Sequence, residues 1–118
     1  MKKLKQIHHA PAFVLLFLAE GPSYGLDLQK KMTELIPDSK IDCAAIYRSL
    51  KSLESDELVR PEWDTSDSGP AKKYYYITEK GLNKLSEFKK DIEAKIANLN
   101  LFLNRFQELN SEEINPHK

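Results

Sequence analysis

A chain of 118 residues, 41% of them hydrophobic, suits one compact domain with a single modest core, and a second independent domain is not expected. Eighteen basic and eighteen acidic side chains cancel, so a nucleic-acid partner has to be held by a local patch rather than by overall charge. The one cysteine, Cys43, excludes an intrachain disulfide framework and fits a reducing compartment, with the cytoplasm as the expected location.

Lys2, Lys3 and Lys5 form the one obvious basic arm, at the amino terminus. Pro11 can open a helix at its first turn, and PAFVLLFLAEG is apolar enough to need cover on most sides before Gly21 and Pro22 stop it. The apolar run Ala12 to Ala19 is far short of the roughly 18 residues of a membrane span, and no small-residue cleavage pattern makes it a secretion signal. It reads as a buried helix, and no membrane partner is expected. Ser23 is the expected N-cap of a second helix, with Leu26, Leu28, Met32, Leu35 and Ile36 as its apolar contacts, Gln29, Lys30 and Lys31 on its exposed side and Pro37 at its end. Asp38 or Asp42 offers a cap for a third helix running to about Asp56. At 3.6 residues per turn, Ile46, Leu50 and Leu53 fall on one stripe of that helix, while Ala44, Arg48, Lys51 and Ser55 fall on its reverse.

The texture changes at Leu58. LVRPEWD and KKYYYIT are rich in β-branched and aromatic residues and flank the polar stretch DTSDSGPA, as expected of a hairpin with a long loop. Pro61 cannot donate to a ladder and marks an edge strand, and alternation sends Tyr75 and Ile77 toward the core with Tyr74 and Tyr76 outward. Thr78 is a good cap for a last helix reaching about Leu109. Along it Leu85, Phe88, Ile92, Lys95, Leu99, Phe102, Phe106 and Leu109 recur at steps of three and four, with Ile96 beside them. Thirty helical residues reach roughly 45 Å, farther than so small a domain covers, so a second copy of the chain is the expected partner of this seam, with partial cover by the first helix as the alternative. The polar tail SEEINPHK is expected to fray.

Three helices followed by a β-hairpin make a winged helix, a helix-turn-helix variant whose third helix enters the major groove while the hairpin loop touches the backbone. On that architecture Ala44 and Ala45 permit close approach to bases, Arg48 offers a planar fork to guanine or phosphate, and Lys51 offers a point charge. The fold class expected is thus mainly α with a small β-hairpin, in three parts: a winged helix-turn-helix over residues 1–80, a dimerisation helix over 81–110 and a flexible tail over 111–118.

The residues LLFLAEGPSYGLDL, AAIYRSLKSLESDELV and GPAKKYYYITEKG resemble the PadR-like transcriptional regulators, with the similarity extending over about residues 10 to 85. The resemblance implies a homodimeric winged-helix repressor that binds a double-stranded DNA operator and is released by a small hydrophobic or phenolic effector; no cofactor is expected. It matches Tyr24, Tyr47 and Arg48 to the family's DNA-facing tyrosines and recognition-helix cation, and Lys72 and Lys73 to its wing pair on phosphate. Three positions depart from the pattern. Glu57 stands where many relatives have glycine, so the turn must avoid a left-handed conformation or accept its cost. Lys72 stands where arginine is common, which trades a planar fork for a simple charge. Asp64 and Asp67 lower the potential of the wing.

Other residues carry weaker signals. Cys43, at the start of the third helix, is read as a small half-buried filler bordering the core stripe in preference to a reactive thiol. His8, His9 and His117 lack the spacing of a metal site, so no metal is expected. There is no phosphate loop, nucleophile elbow or carboxylate pair in a polar pocket, so no enzyme is expected. The dimer is assigned to Leu85, Phe88, Ile92, Leu99, Phe102 and Phe106, and the effector to Phe13, Phe17, Phe102 and Phe106. The alternative is a winged helix serving as a protein-interaction module without DNA binding, against which Arg48, Lys51, Lys72 and Lys73 speak.

Overall fold

The structure is a computed structural model that describes residues 9–36, 43–65 and 69–109. Its elements run α1 (Ala10–Glu20), β1 (Ser23–Tyr24), α2 (Gly25–Leu35), α3 (Cys43–Ser55), β2 (Val59–Asp64), β3 (Lys72–Ile77) and α4 (Glu79–Glu108). The chain forms two units, the first ending at Ser86 and the second beginning at Glu87. Among the described residues, no helix is long and apolar enough to cross a membrane.

Pro11 sits in the first turn of α1, where its missing N–H leaves no vacancy, and the Gly21 N–H closes the helix on the Leu18 carbonyl at 3.2 Å. Five of the eleven α1 residues are buried, Ala12, Val14, Leu15, Phe17 and Leu18, as its continuous apolar run requires. Together with Leu28 and Met32 of α2, Ile46, Leu50 and Leu53 of α3, and Val59 and Tyr75 of the sheet, they form the core of the first unit.

The second helix starts differently from the expectation. Ser23 is not its N-cap but half of a third strand, paired with Tyr75 while Tyr24 pairs with Tyr74. The sheet order is β1-β3-β2, so β3 is central and paired on both sides, while β2 is an edge strand. Ser23 is buried and its hydroxyl donates to Asp27 Oδ2 at 3.1 Å. The N-cap is Tyr24, in extended conformation and with no side-chain cap. Leu26 and Leu35, expected to pack inward, are instead 52% and 63% exposed, because α2 touches the core only along Gly25, Leu28 and Met32. The candidate caps Asp38 and Asp42 lie outside the described residues, as do Asp67 and the tail over 111–118.

The exit from α3 explains Glu57. Its φ is 63°, within the left-handed region, and two bonds around it define a Schellman closure: Leu58 N–H to Leu53 O at 2.9 Å and Glu57 N–H to Glu54 O at 2.9 Å. Leu58 and Leu53, the apolar pair that usually accompanies this motif, are both buried. The turn therefore accepts the left-handed conformation, at a cost of about 1 kcal/mol for a residue with a Cβ. The wing then forms in the register Val59↔Ile77 through Asp64↔Lys72, with Pro61 on the edge strand β2.

Thr78 caps α4 by accepting the Gly81 N–H on Oγ1 at 3.0 Å, while its own hydroxyl lies 2.8 Å from Glu57 O and 3.0 Å from Leu58 O. In the second unit, Lys89 pairs with Glu93 and Lys95 with Asp91, each one turn apart. Leu99 and Phe102 are 65% and 66% exposed, and the Phe102 and Phe106 rings stack with centroids 6.4 Å apart. Leu101 and Leu103 are exposed as well, so the apolar surface is broader than a strict seam.

Candidate nucleic-acid interface

The α3 stripe divides as its periodicity requires: Ile46, Leu50 and Leu53 are buried, and Ala44, Tyr47, Arg48, Lys51 and Ser55 are exposed, with Ala45 half-buried between them. Anchoring one side on the core fixes which side is offered outward. No described carboxylate lies within ion-pair distance of Arg48 or Lys51, whereas Arg60, Lys73, Lys80, Lys89 and Lys95 each have one. The α3 face thus presents two cations with no carboxylate partner among the described residues.

Tyr47 is 49% exposed, and its ring lies against Gly25. A Cβ built on Gly25 would lie 2.6 Å from Tyr47 Cζ and 2.7 Å from its hydroxyl oxygen, so only glycine lets the ring lie against the start of α2. Tyr24, one residue earlier, packs edge-on against Tyr74 with centroids 5.3 Å apart, and the Lys72 ammonium lies 5.2 Å from the Tyr24 ring centre. Ala44, Tyr47, Arg48 and Lys51 therefore share one helix face, while Tyr24 and Lys72 meet on the sheet. Lys73 belongs to the other face of the sheet, 3.9 Å from Glu54 of α3.

Two sequence expectations need correction or addition. Cys43 is exposed and not a half-buried filler; its thiol meets Gln29 Oε1 at 2.6 Å, because α3 begins beyond the edge of the core. Trp63 does not stand out in the sequence, but it is 64% exposed and is the cross-strand partner of Lys73. Counting by twos from buried Tyr75 assigns Trp63 and Lys73 to a common face. Of the aromatic residues considered for an effector, Phe13 and Phe17 lie 6.2 Å apart on α1, and Phe102 and Phe106 belong to the second unit. His8 and His117 lie outside the described residues, among which no three metal-binding side chains gather.

Helices α2 and α3, followed by a wing whose central strand also binds β1, define a winged helix-turn-helix. Solved structures share the fold. A PadR family transcription regulator from Clostridium difficile matches with a TM-score of 0.72 at 24% identity, over 80% of this chain and 98% of that one. A PadR-like transcriptional regulator from Bacillus cereus matches at 0.70 and 27%, over 80% and 91%. A PadR-like transcription factor from Bacteroides fragilis matches at 0.64 and 30%, over 89% and 94%. Residues 14–87 match the model of the transcriptional regulator PadR-like family, and the chain belongs to that family.

Proposed function

We propose that this PadR-like regulator is a sequence-specific DNA-binding homodimer that acts as a repressor, with α3 in the major groove of a double-stranded operator. The observation that carries this is the α3 face, where Arg48 and Lys51 stand exposed without a described carboxylate partner beside the small Ala44. Exposed cations beside a small alanine, with Tyr47 on the same face, suit a groove lined by phosphates and base edges. Arg48 would read a guanine edge, Tyr47 and Tyr24 would fix the helix against the backbone, and Lys72 would meet phosphate from the wing. The dimer would form through α4, where Leu85, Phe88, Ile92, Leu99, Phe102 and Phe106 supply the apolar seam, most of it exposed toward its end. Release by a small hydrophobic or phenolic effector completes the proposal; unchanged DNA affinity across phenolic acids and planar dyes would remove that part.

The test contrasts Arg48 with Lys72 on operator and random duplexes. Arg48→Ala should weaken operator binding by about 1 to 3 kcal/mol per site and relax sequence preference. Lys72→Ala should weaken all DNA by a similar factor and reduce the salt slope by about one for each phosphate it no longer neutralises. Equal losses on both duplexes for Arg48→Ala would demote the arginine to a backbone anchor. A salt-independent profile for the unaltered chain would point instead to a protein-interaction module.

A further inference from the structure

Successive side chains on a strand point to opposite faces, so the adjacent wing lysines have different surroundings. Lys72 faces the side of the sheet that carries Tyr24 and Tyr74. Lys73 faces the side that carries buried Tyr75, the side on which α3 packs, and three groups converge on its ammonium. Glu54 Oε1 of α3 lies at 3.9 Å, the Tyr75 ring centre at 5.4 Å and the Trp63 ring centre at 5.8 Å. Lys73 thus links the wing to the recognition helix through Glu54, which lies one turn beyond exposed Lys51.

Of the two rings beside this ammonium, Trp63 is the exposed one. Directly across the ladder from Lys73, it keeps 64% of its surface open to solvent. An indole so placed carries a large apolar face and a single N–H donor, which suits a surface that is apolar in the sugar and anionic in the phosphate. Its place on the wing, the element that lies along the DNA backbone in a winged helix, favours a polyanion over an apolar protein partner.

We propose that Trp63 is a second wing residue that touches DNA beside Lys72, its ring packed on a deoxyribose and its Nε1–H donated to a phosphate oxygen, and that Lys73 is a positioning residue rather than a phosphate contact. The inference rests on the DNA-binding function proposed above. Trp63 is the only tryptophan of the chain, so its fluorescence reports on this contact directly. Titration of the full chain with operator duplex should shift and saturate that emission. Trp63→Ala should weaken binding roughly tenfold, within the range found on removing aromatic contacts to nucleic acid, without changing the salt slope. Trp63→Phe should recover part of the loss by restoring the apolar face. Lys73→Met should lower affinity with an unchanged salt slope; a slope reduced by about one would make Lys73 a phosphate contact and overturn its assignment. Unaltered affinity for Trp63→Ala together with unmoved emission on DNA binding would overturn the assignment of Trp63 while leaving DNA binding intact. Failure of the unaltered chain to bind any duplex would overturn both the function and this contact.

Discussion

Replacing Gly81 by alanine sets two physical effects against each other. In the first turn of α4 the residue has no positive φ, so backbone conformation alone would permit alanine, and helix propensity would favour it by about 1 kcal/mol. Packing opposes the change. The new Cβ would lie 2.2 Å from Leu58 O, 2.7 Å from Ile77 Cγ1 and 3.1 Å from Leu58 C. An ordinary carbon–oxygen contact is about 3.3 Å or longer, so the start of α4 must retreat by roughly 1 Å. The obstacle is backbone, and Leu58 O already accepts the Thr78 N–H at 3.0 Å with the Thr78 hydroxyl also at 3.0 Å. Overpacking of this kind costs about 1 to 3 kcal/mol, and loosening one of those hydrogen bonds adds about 1. After the propensity gain is subtracted, Gly81→Ala should destabilise the first unit by about 2 kcal/mol, or roughly 10 °C in Tm for a domain of this size. Urea denaturation followed by circular dichroism measures it. A variant as stable as the unaltered chain, or more so, would refute the claim that Leu58 and the first turn of α4 form a rigid contact.

Gly25→Ala should behave in the opposite way, because its Cβ meets the far end of the Tyr47 side chain. That ring can swing outward, so stability should change by less than about 1 kcal/mol while operator affinity falls, as paired melting and binding curves would reveal. Glu57→Gly should stabilise the protein by up to about 1 kcal/mol in thermal melts by relieving the left-handed conformation at φ 63°. Leu99→Glu combined with Phe102→Glu should yield monomers in sedimentation and abolish operator binding; a double variant that still sediments as a dimer would remove α4 as the subunit contact.

The parts of this fold legible in the sequence are those set by neighbours along the chain. Pro11 and Gly21 bound α1, Thr78 caps α4, and the 3.6-residue spacing of Ile46, Leu50 and Leu53 orients α3, so local spacing alone dictates the outward placement of Arg48 and Lys51. Alternation likewise settles the inward placement of Tyr75. Other features depend on partners distant in sequence. Ser23 and Tyr24 are too short a segment to show a period, and become a strand only because β3 has an open side for them to pair with. Leu26 and Leu35 look like core residues, but α2 is buried along Gly25, Leu28 and Met32, which leaves them exposed, and Cys43 is exposed at the start of α3. Glu57 turns left-handed because burying Leu58 against Leu53 outweighs the strain of one Cβ. The division of Lys72 from Lys73 is latent in the strand period, but the proximity of Lys73 to Glu54 exists only once the wing folds beside α3. Periodicity and capping act within a few residues, whereas burial and charge pairing are set by whichever surfaces the completed chain brings together.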